Sequence, residues 1–243
     1  MTDPAEGELA EDGGELIEPS GDADPEGQAP WVMQLVTRIE KTDPPTRSAV
    51  CAASATAVAT LLDDPRARTG GEWAPEVVRW TDGRIRKHSR RARGAAWQAV
   101  QTLPGVTAEV QGAQVRAFVP CATDAIPAPI AKLQLAGSEL ADPDARAEVE
   151  AVVDGPVVVT LCAEPPLSLG KAAAAAGHAA QLALYRMDDR RRAAWAAAGY
   201  PVVIEQPTPA RWAHERTRQP VQVIDGGLTD VAPGTCTATA RWR

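Results

Sequence analysis

The sequence predicts an α/β protein of two fused α/β units, each a small mixed β-sheet flanked by helices, together making a built-in pseudo-dimer. Three observations predict it. The order strand, double-proline loop, Ala-rich helix and then further strands and helices occurs twice in 243 residues, and order that repeats over a long period marks duplicated units. Short β-type runs alternate with helical stretches, as in an α/β fold. Hydrophobic residues make up 44% of the chain but aromatic ones only 4%; with abundant Ala, this predicts close-packed helices on sheets.

The elements follow in order. Residues 1–29 read as a disordered acidic tail rich in Gly, Pro, Glu and Asp, with too little apolar content to offset the entropy of ordering. The first unit spans 30–135. It opens on a strand over Trp31–Arg38, passes a Pro44-Pro45 loop and continues as an Ala-rich helix over Arg47–Leu62. A polar loop covers 64–75. A short strand is expected over Glu76–Trp80, then a helix over Gly83–Gln101, then two strands, Val106–Val110 and Gln114–Val119, joined by a Gly-containing hairpin. Residues 120–155 read as a connector with one short helix, of which 136–154 form the linker proper. The second unit, 155–243, starts with the strand Val157–Leu161 and a Pro165-Pro166 loop. Helices are expected over Gly170–Met187 and Arg190–Ala198, a strand over Tyr200–Glu205 and a brief helix over Pro209–Arg216. Strands over Val221–Asp225 and Thr235–Arg241 close the chain.

Composition narrows the function classes. The four cysteines, Cys51, Cys121, Cys162 and Cys236, are scattered without a CxxC pair, so neither a zinc site nor a disulfide framework is expected. No apolar run reaches the roughly 18 residues of a membrane span, and the acidic start lacks a signal-type apolar region. A cytoplasmic protein with no metal or organic cofactor is the expectation. The net charge of −7 hides an asymmetry: ten of the 32 acidic side chains lie in residues 1–30, which hold no Lys or Arg. The remainder is mildly basic, the charge an anionic partner would meet.

Lys171 and His178 carry the first chemical signal. At about 3.6 residues per turn they fall on one face of the predicted helix, with alanines between them. A lysine at a helix start opposes the macrodipole, and an anionic ligand would give it a reason. Lys171 either stabilises negative charge on a ligand or is a solvated surface lysine; as a cation it needs no shift from its ordinary pKa near 10.4. His178 is either a general base or donor to substrate, or a packed and satisfied side chain. Asp225, before Gly226 and Gly227, either orients a water or pairs with Lys171, or else serves as an Asx-turn acceptor. Thr229 binds a phosphate or stabilises a turn. Two basic clusters, Arg84, Arg86, Lys87, Arg90, Arg91 and Arg93, and then Arg190 to Arg192 with Arg190 and Arg191 foremost, either hold RNA phosphates or form solvated helix faces.

Three ordered segments of the second half resemble the type 2 peptidyl-tRNA hydrolases. These are Gly170-Lys171 through His178-Ala179-Ala180, Ala194-Trp195 through Gly199-Tyr200-Pro201-Val202-Val203, and Asp225-Gly226-Gly227-Leu228-Thr229 through Pro233-Gly234-Thr235. The resemblance covers about residues 156–242. It implies hydrolysis of the ester joining a peptide to tRNA, with Lys171, His178, Asp225 and Thr229 as site residues, peptidyl-tRNA as substrate and the ribosome as a further candidate partner. The chain departs from the family at Ala175, where a glutamine is usual, at Leu169, where a lysine is usual, and at Cys162-Ala163-Glu164, where arginine and aspartate are usual. In the first half Arg47 stands at the lysine position and Ser54 at the histidine position. The rival expectations are a tRNA- or ribosome-binding protein of the same fold without catalysis, and a structural or protein-interaction module.

Overall fold

The computed structural model describes residues 14–18, 24, 27–135, 139–142, 156–227 and 231–242. The chain is α/β, with two mixed sheets of five and four strands flanked by helices. The first unit comprises β1 (Trp31–Arg38), α1 (Arg47–Asp63), α2 (Ala74–Thr81), β2 (Lys87–Ala92), α3 (Gly94–Val100), β3 (Gly105–Val110), β4 (Ala113–Phe118), a two-residue β5 (Cys121–Ala122) and α4 (Ala128–Ala131). The second comprises β6 (Val157–Leu161), α5 (Leu169–Arg186), α6 (Asp189–Ala197), β7 (Val202–Glu205), α7 (Pro209–Glu215), β8 (Val221–Ile224) and β9 (Cys236–Arg241).

The two sheets have one topology. The first runs β2-β1-β4-β3, with β5 added against the end of β1, and the second runs β7-β6-β9-β8. In each, the opening strand is parallel to the next and antiparallel to the last, which in turn pairs antiparallel with the third. The parallel pair needs a crossover, supplied by α1 in one unit and α5 in the other. Each crossover helix starts on a side-chain cap three residues before the amide it satisfies: Thr46 accepts from the Ala49 amide and Ser168 from the Lys171 amide.

The small-residue composition of α1 and α5 follows from their place. They pack on each other, and each also touches both sheets: α1 lies on β3 and β4 and reaches β7, while α5 lies on β6, β8 and β9 and reaches β2. A helix covered on so many sides cannot be amphipathic, and α1 buries polar Ser54 and Thr56 along with its alanines and valines. One continuous core runs through both units, from Met33 and Leu35 to Val159 and Ala238. A second cluster, around Val36, Trp97, Phe118 and Ile130, covers the outer face of the first sheet. The seam is also tied by polar contacts, since the Thr56 hydroxyl donates to the Tyr200 carbonyl at 3.0 Å and the Tyr200 hydroxyl donates to Asp63.

The structure corrects two element assignments. Glu76–Trp80 lies within helix α2, because the buried residues Ala74, Val77, Trp80 and Thr81 recur at helical spacing. The helix expected over Gly83–Gln101 is strand β2 followed by the short helix α3. Strand β2 has no apolar alternation, and it is held by its parallel ladder with β1, Met33 opposite Lys87 through Arg38 opposite Ala92.

Parts of the acidic segment and the linker touch the body. Leu16 and Ile17 pack on the core, and the Glu15 carbonyl accepts from the Thr69 amide at 2.9 Å. Asp24 pairs with Arg86 through both carboxylate oxygens, at 2.6 and 2.5 Å. Asp142 accepts from the Ser48 amide and hydroxyl at the start of α1, at 2.8 and 2.9 Å. No helix among the described residues is long and apolar enough to cross a membrane.

Candidate active site

A pocket of about 310 Å³ opens where the two units meet. The first unit supplies Ile85 and Arg86 ahead of β2, Lys87 to Ser89 on β2, and Leu135. The second supplies the face of α5 from Gly170 through Lys171, Ala175 and His178 to Leu182, together with the end of β8 and the Asp225-Gly226 turn. The helical spacing between Lys171 and His178 therefore puts both on one wall. Leu135 and Ile224, 50% and 57% exposed, are two large apolar side chains on the pocket lining, so charged groups and apolar surface share one cavity.

Asp225 holds the far wall. Its amide donates to the Thr235 carbonyl and its carbonyl accepts from the Gly234 amide, both at 2.8 Å. Of its carboxylate, Oδ1 accepts from the Gly227 amide at 2.8 Å and Oδ2 pairs with the Lys171 ammonium. The Asx turn and the lysine pair, alternatives in the sequence, coexist on one side chain. The pair also explains a lysine in the first turn of α5, since the anion it needs is Asp225. Both side chains are only about one-seventh exposed, at 14% and 15%, so their mutual attraction is less screened than at the surface.

His178 faces a different partner. Its Nδ1 lies 3.0 Å from Nζ of Lys87 on β2. Burial, and then the positive charges of Lys87 and Lys171, hold its imidazole well below the usual value, so it is neutral at neutral pH. Lys87 also donates to Oε1 of Gln181, one turn beyond His178, and sits over the Trp80 ring with Nζ 4.8 Å from the centroid. Burial pushes the Lys87 ammonium well down.

The basic cluster read as a helix face is thus divided by strand geometry. Lys87 and Arg90 are 7% and 8% exposed, which corrects their placement on an RNA-facing surface. Arg90 donates to Gln34 Oε1 at 2.9 Å and to the Leu133 carbonyl at 2.7 Å. Arg86 lines the pocket and is held by Asp24. Arg91 is bonded to Gln134, while Arg84 and Arg93 are exposed. Arg190 and Arg191 are exposed on α6, with Arg191 paired to Asp188. Thr229 lies outside the described residues. At the positions departing from the family pattern, Ala175 is on the pocket wall, Leu169 is buried at the α5 start, and the Cys162 thiol contacts the Glu164 carbonyl. In the first unit, Arg47 donates to the Leu167 carbonyl at 2.7 Å and Ser54 is fully buried with an unpartnered hydroxyl.

Sequence reasoning missed Gln181, buried behind the pocket wall against Lys87, and it placed Lys87 in a basic cluster instead of beside His178. Gln181 was within reach, because it lies three residues beyond His178 on the same helical face. The local sequence marks Lys87 only as one member of a basic run; it meets His178 through sheet pairing and the packing of α5 on β2. Comparison of the chain with protein-family models, curated proteins and solved structures returns no match.

Proposed function

We propose that this pocket hydrolyses a carboxylic ester, the bond joining a peptide to tRNA. The observation that carries the reading is the convergence of Lys171, Asp225 and His178 in one 310 Å³ cavity, with Lys171 and Asp225 in direct contact. In the proposed reaction water adds to the ester carbonyl, the acyl C–O bond breaks, and the peptide carboxylate and the tRNA hydroxyl leave. Lys171, paired with Asp225, stabilises the negative charge that develops on the carbonyl oxygen. The Asp225 carboxylate, fixed by the Gly227 amide, orients the attacking water. The exposed arginines Arg84, Arg93, Arg190 and Arg191 supply positive charge for phosphates on either side of the seam. Apolar Leu135 and Ile224 suit contact with the acyl portion.

The experiment is turnover of peptidyl-tRNA by the purified full chain. Lys171→Met and Asp225→Asn are expected to lower kcat by roughly 10² to 10³, and Asn keeps an oxygen for the Gly227 turn. Turnover that both variants leave undiminished overturns the proposal. Ala175, where the resembled family carries glutamine, favours the second reading: a tRNA-binding protein without catalysis. Salt-sensitive tRNA binding with an intact ester selects that reading.

A further inference from the structure

Lys87 belongs to the unit that does not carry the resemblance, yet its amine ends inside the wall of the second unit's pocket. Three electron-rich groups surround Nζ: Nδ1 of His178 at 3.0 Å, Oε1 of Gln181, and the face of Trp80 at 4.8 Å. Two of these are held in orientation. The Gln181 amide nitrogen lies 3.4 Å from the Tyr185 hydroxyl, which turns Oε1 toward the lysine. The Trp80 indole N–H donates to the Arg86 carbonyl at 3.1 Å, which fixes the ring beneath the amine. Close packing confines the stem as well, since a Cβ added at Gly177 would lie 3.4 Å from Lys87 Cδ.

We propose that Lys87 is a positioning residue: it donates to Nδ1 of His178 and so fixes the imidazole as the Nε2–H tautomer, a neutral hydrogen-bond donor within the pocket. An ammonium has no lone pair and can only donate to Nδ1, and a neutral amine still has two N–H bonds, one for Gln181 and one for His178, so donation is open to Lys87 in either state. Once Nδ1 accepts, the ring proton belongs on Nε2. A neutral imidazole in that form polarises a carbonyl and does not take a proton from water. This decides between the two roles open to His178, donor and general base, and leaves the orientation of water to Asp225. The second unit's site is accordingly incomplete without β2 of the first.

The catalytic part of this inference rests on the ester-hydrolysis reading; the tautomer does not. Charged and titratable groups lining the pocket with the imidazole are Arg86 just before β2, Lys87 and His88 on β2, Lys171 on α5 and Asp225 after β8. Long-range ¹⁵N–¹H spectra of the full chain with labelled histidine, assigned with His178→Gln, read the ring directly. The Nε2–H form is expected in the wild type from pH 6 to 8; an Nδ1–H form or a charged ring overturns the proposal. Lys87→Met is expected to mix the tautomers and move the imidazole pKa up toward its ordinary value, and Lys87→Arg to retain the Nε2–H form. An unchanged spectrum in folded Lys87→Met also overturns it. Should that variant not fold, the wild-type tautomer still decides. In turnover, Lys87→Met is expected to lower kcat roughly 10- to 100-fold, with KM less affected. A wild type with the Nε2–H form but no turnover defeats the hydrolase reading and leaves the positioning role standing. Turnover with the Nδ1–H form does the reverse.

Discussion

Asp225 divides its carboxylate between a turn and a lysine, and the turn is the more demanding of the two. Gly227 sits at φ +75°, and a Cβ there would lie 2.3 Å from Pro233 Cγ. Gly227→Ala is therefore expected to cost roughly 1–3 kcal/mol by urea unfolding and to lower turnover with it, because Oδ1 loses its fixed amide. His178 makes a pH-dependent contribution. Its folded pKa lies well below the ordinary 6.5, so as pH falls through that ordinary value the unfolded chain takes up the proton first. Stability is full above it and declines on acidification. The difference in unfolding free energy between pH 7.5 and pH 5 should shrink in His178→Gln, and an unchanged difference would assign the loss to other groups. Arg90, though a member of the basic cluster, carries a structural prediction. Arg90→Ala leaves the Gln34 amide and the Leu133 carbonyl without their donor and is expected to cost about 1–3 kcal/mol.

Among the elements, α1 and α5 meet at glycine and alanine because each lies between the other helix and strands of both sheets. Gly177 marks a close approach, where an added Cβ would be 3.0 Å from Val58 Cγ2. Gly177→Val is expected to destabilise by about 1–3 kcal/mol through overpacking, with Val58→Ala recovering part of the loss. Additive effects in the double variant would place the strain elsewhere. The same elements show what local sequence conveys. Strand β1 and helix α5 were legible because apolar residues predominate in the first and alanines in the second, each bounded by loop residues. Helix α2 was misread because Val77, Val78 and Trp80 favour strands, although the burial of Ala74, Val77 and Trp80 obeys the helical period. Strand β2 was illegible: Lys87-His88-Ser89-Arg90-Arg91 carries no period-two apolar signal, and its partners lie on β1, α4 and α5.

At the scale of the molecule, the pocket belongs to neither unit alone. A fragment of residues 155–243 would expose the faces of α5 that rest on α1 and β2, and it is expected to show no cooperative unfolding transition, whereas the full chain unfolds cooperatively. A sharp transition in the fragment would contradict the shared core. The acidic segment also reaches this pocket, because Asp24 pairs with Arg86 on its wall. Asp24→Asn should tighten tRNA binding at low salt, with the gain fading as salt rises; unchanged affinity at low salt would remove Arg86 from the binding surface. By itself the sequence determined the α/β class, the duplicated order of elements, and the common face of Lys171 and His178, since each follows from short-range periodicity and turn residues. Tertiary structure alone decided that Lys87 leaves the basic surface for the interior, that Asp225 meets Lys171, and that one cavity forms between the units. Those outcomes depend on contacts between residues far apart in the chain, and no local pattern encodes which strand will lie against which helix.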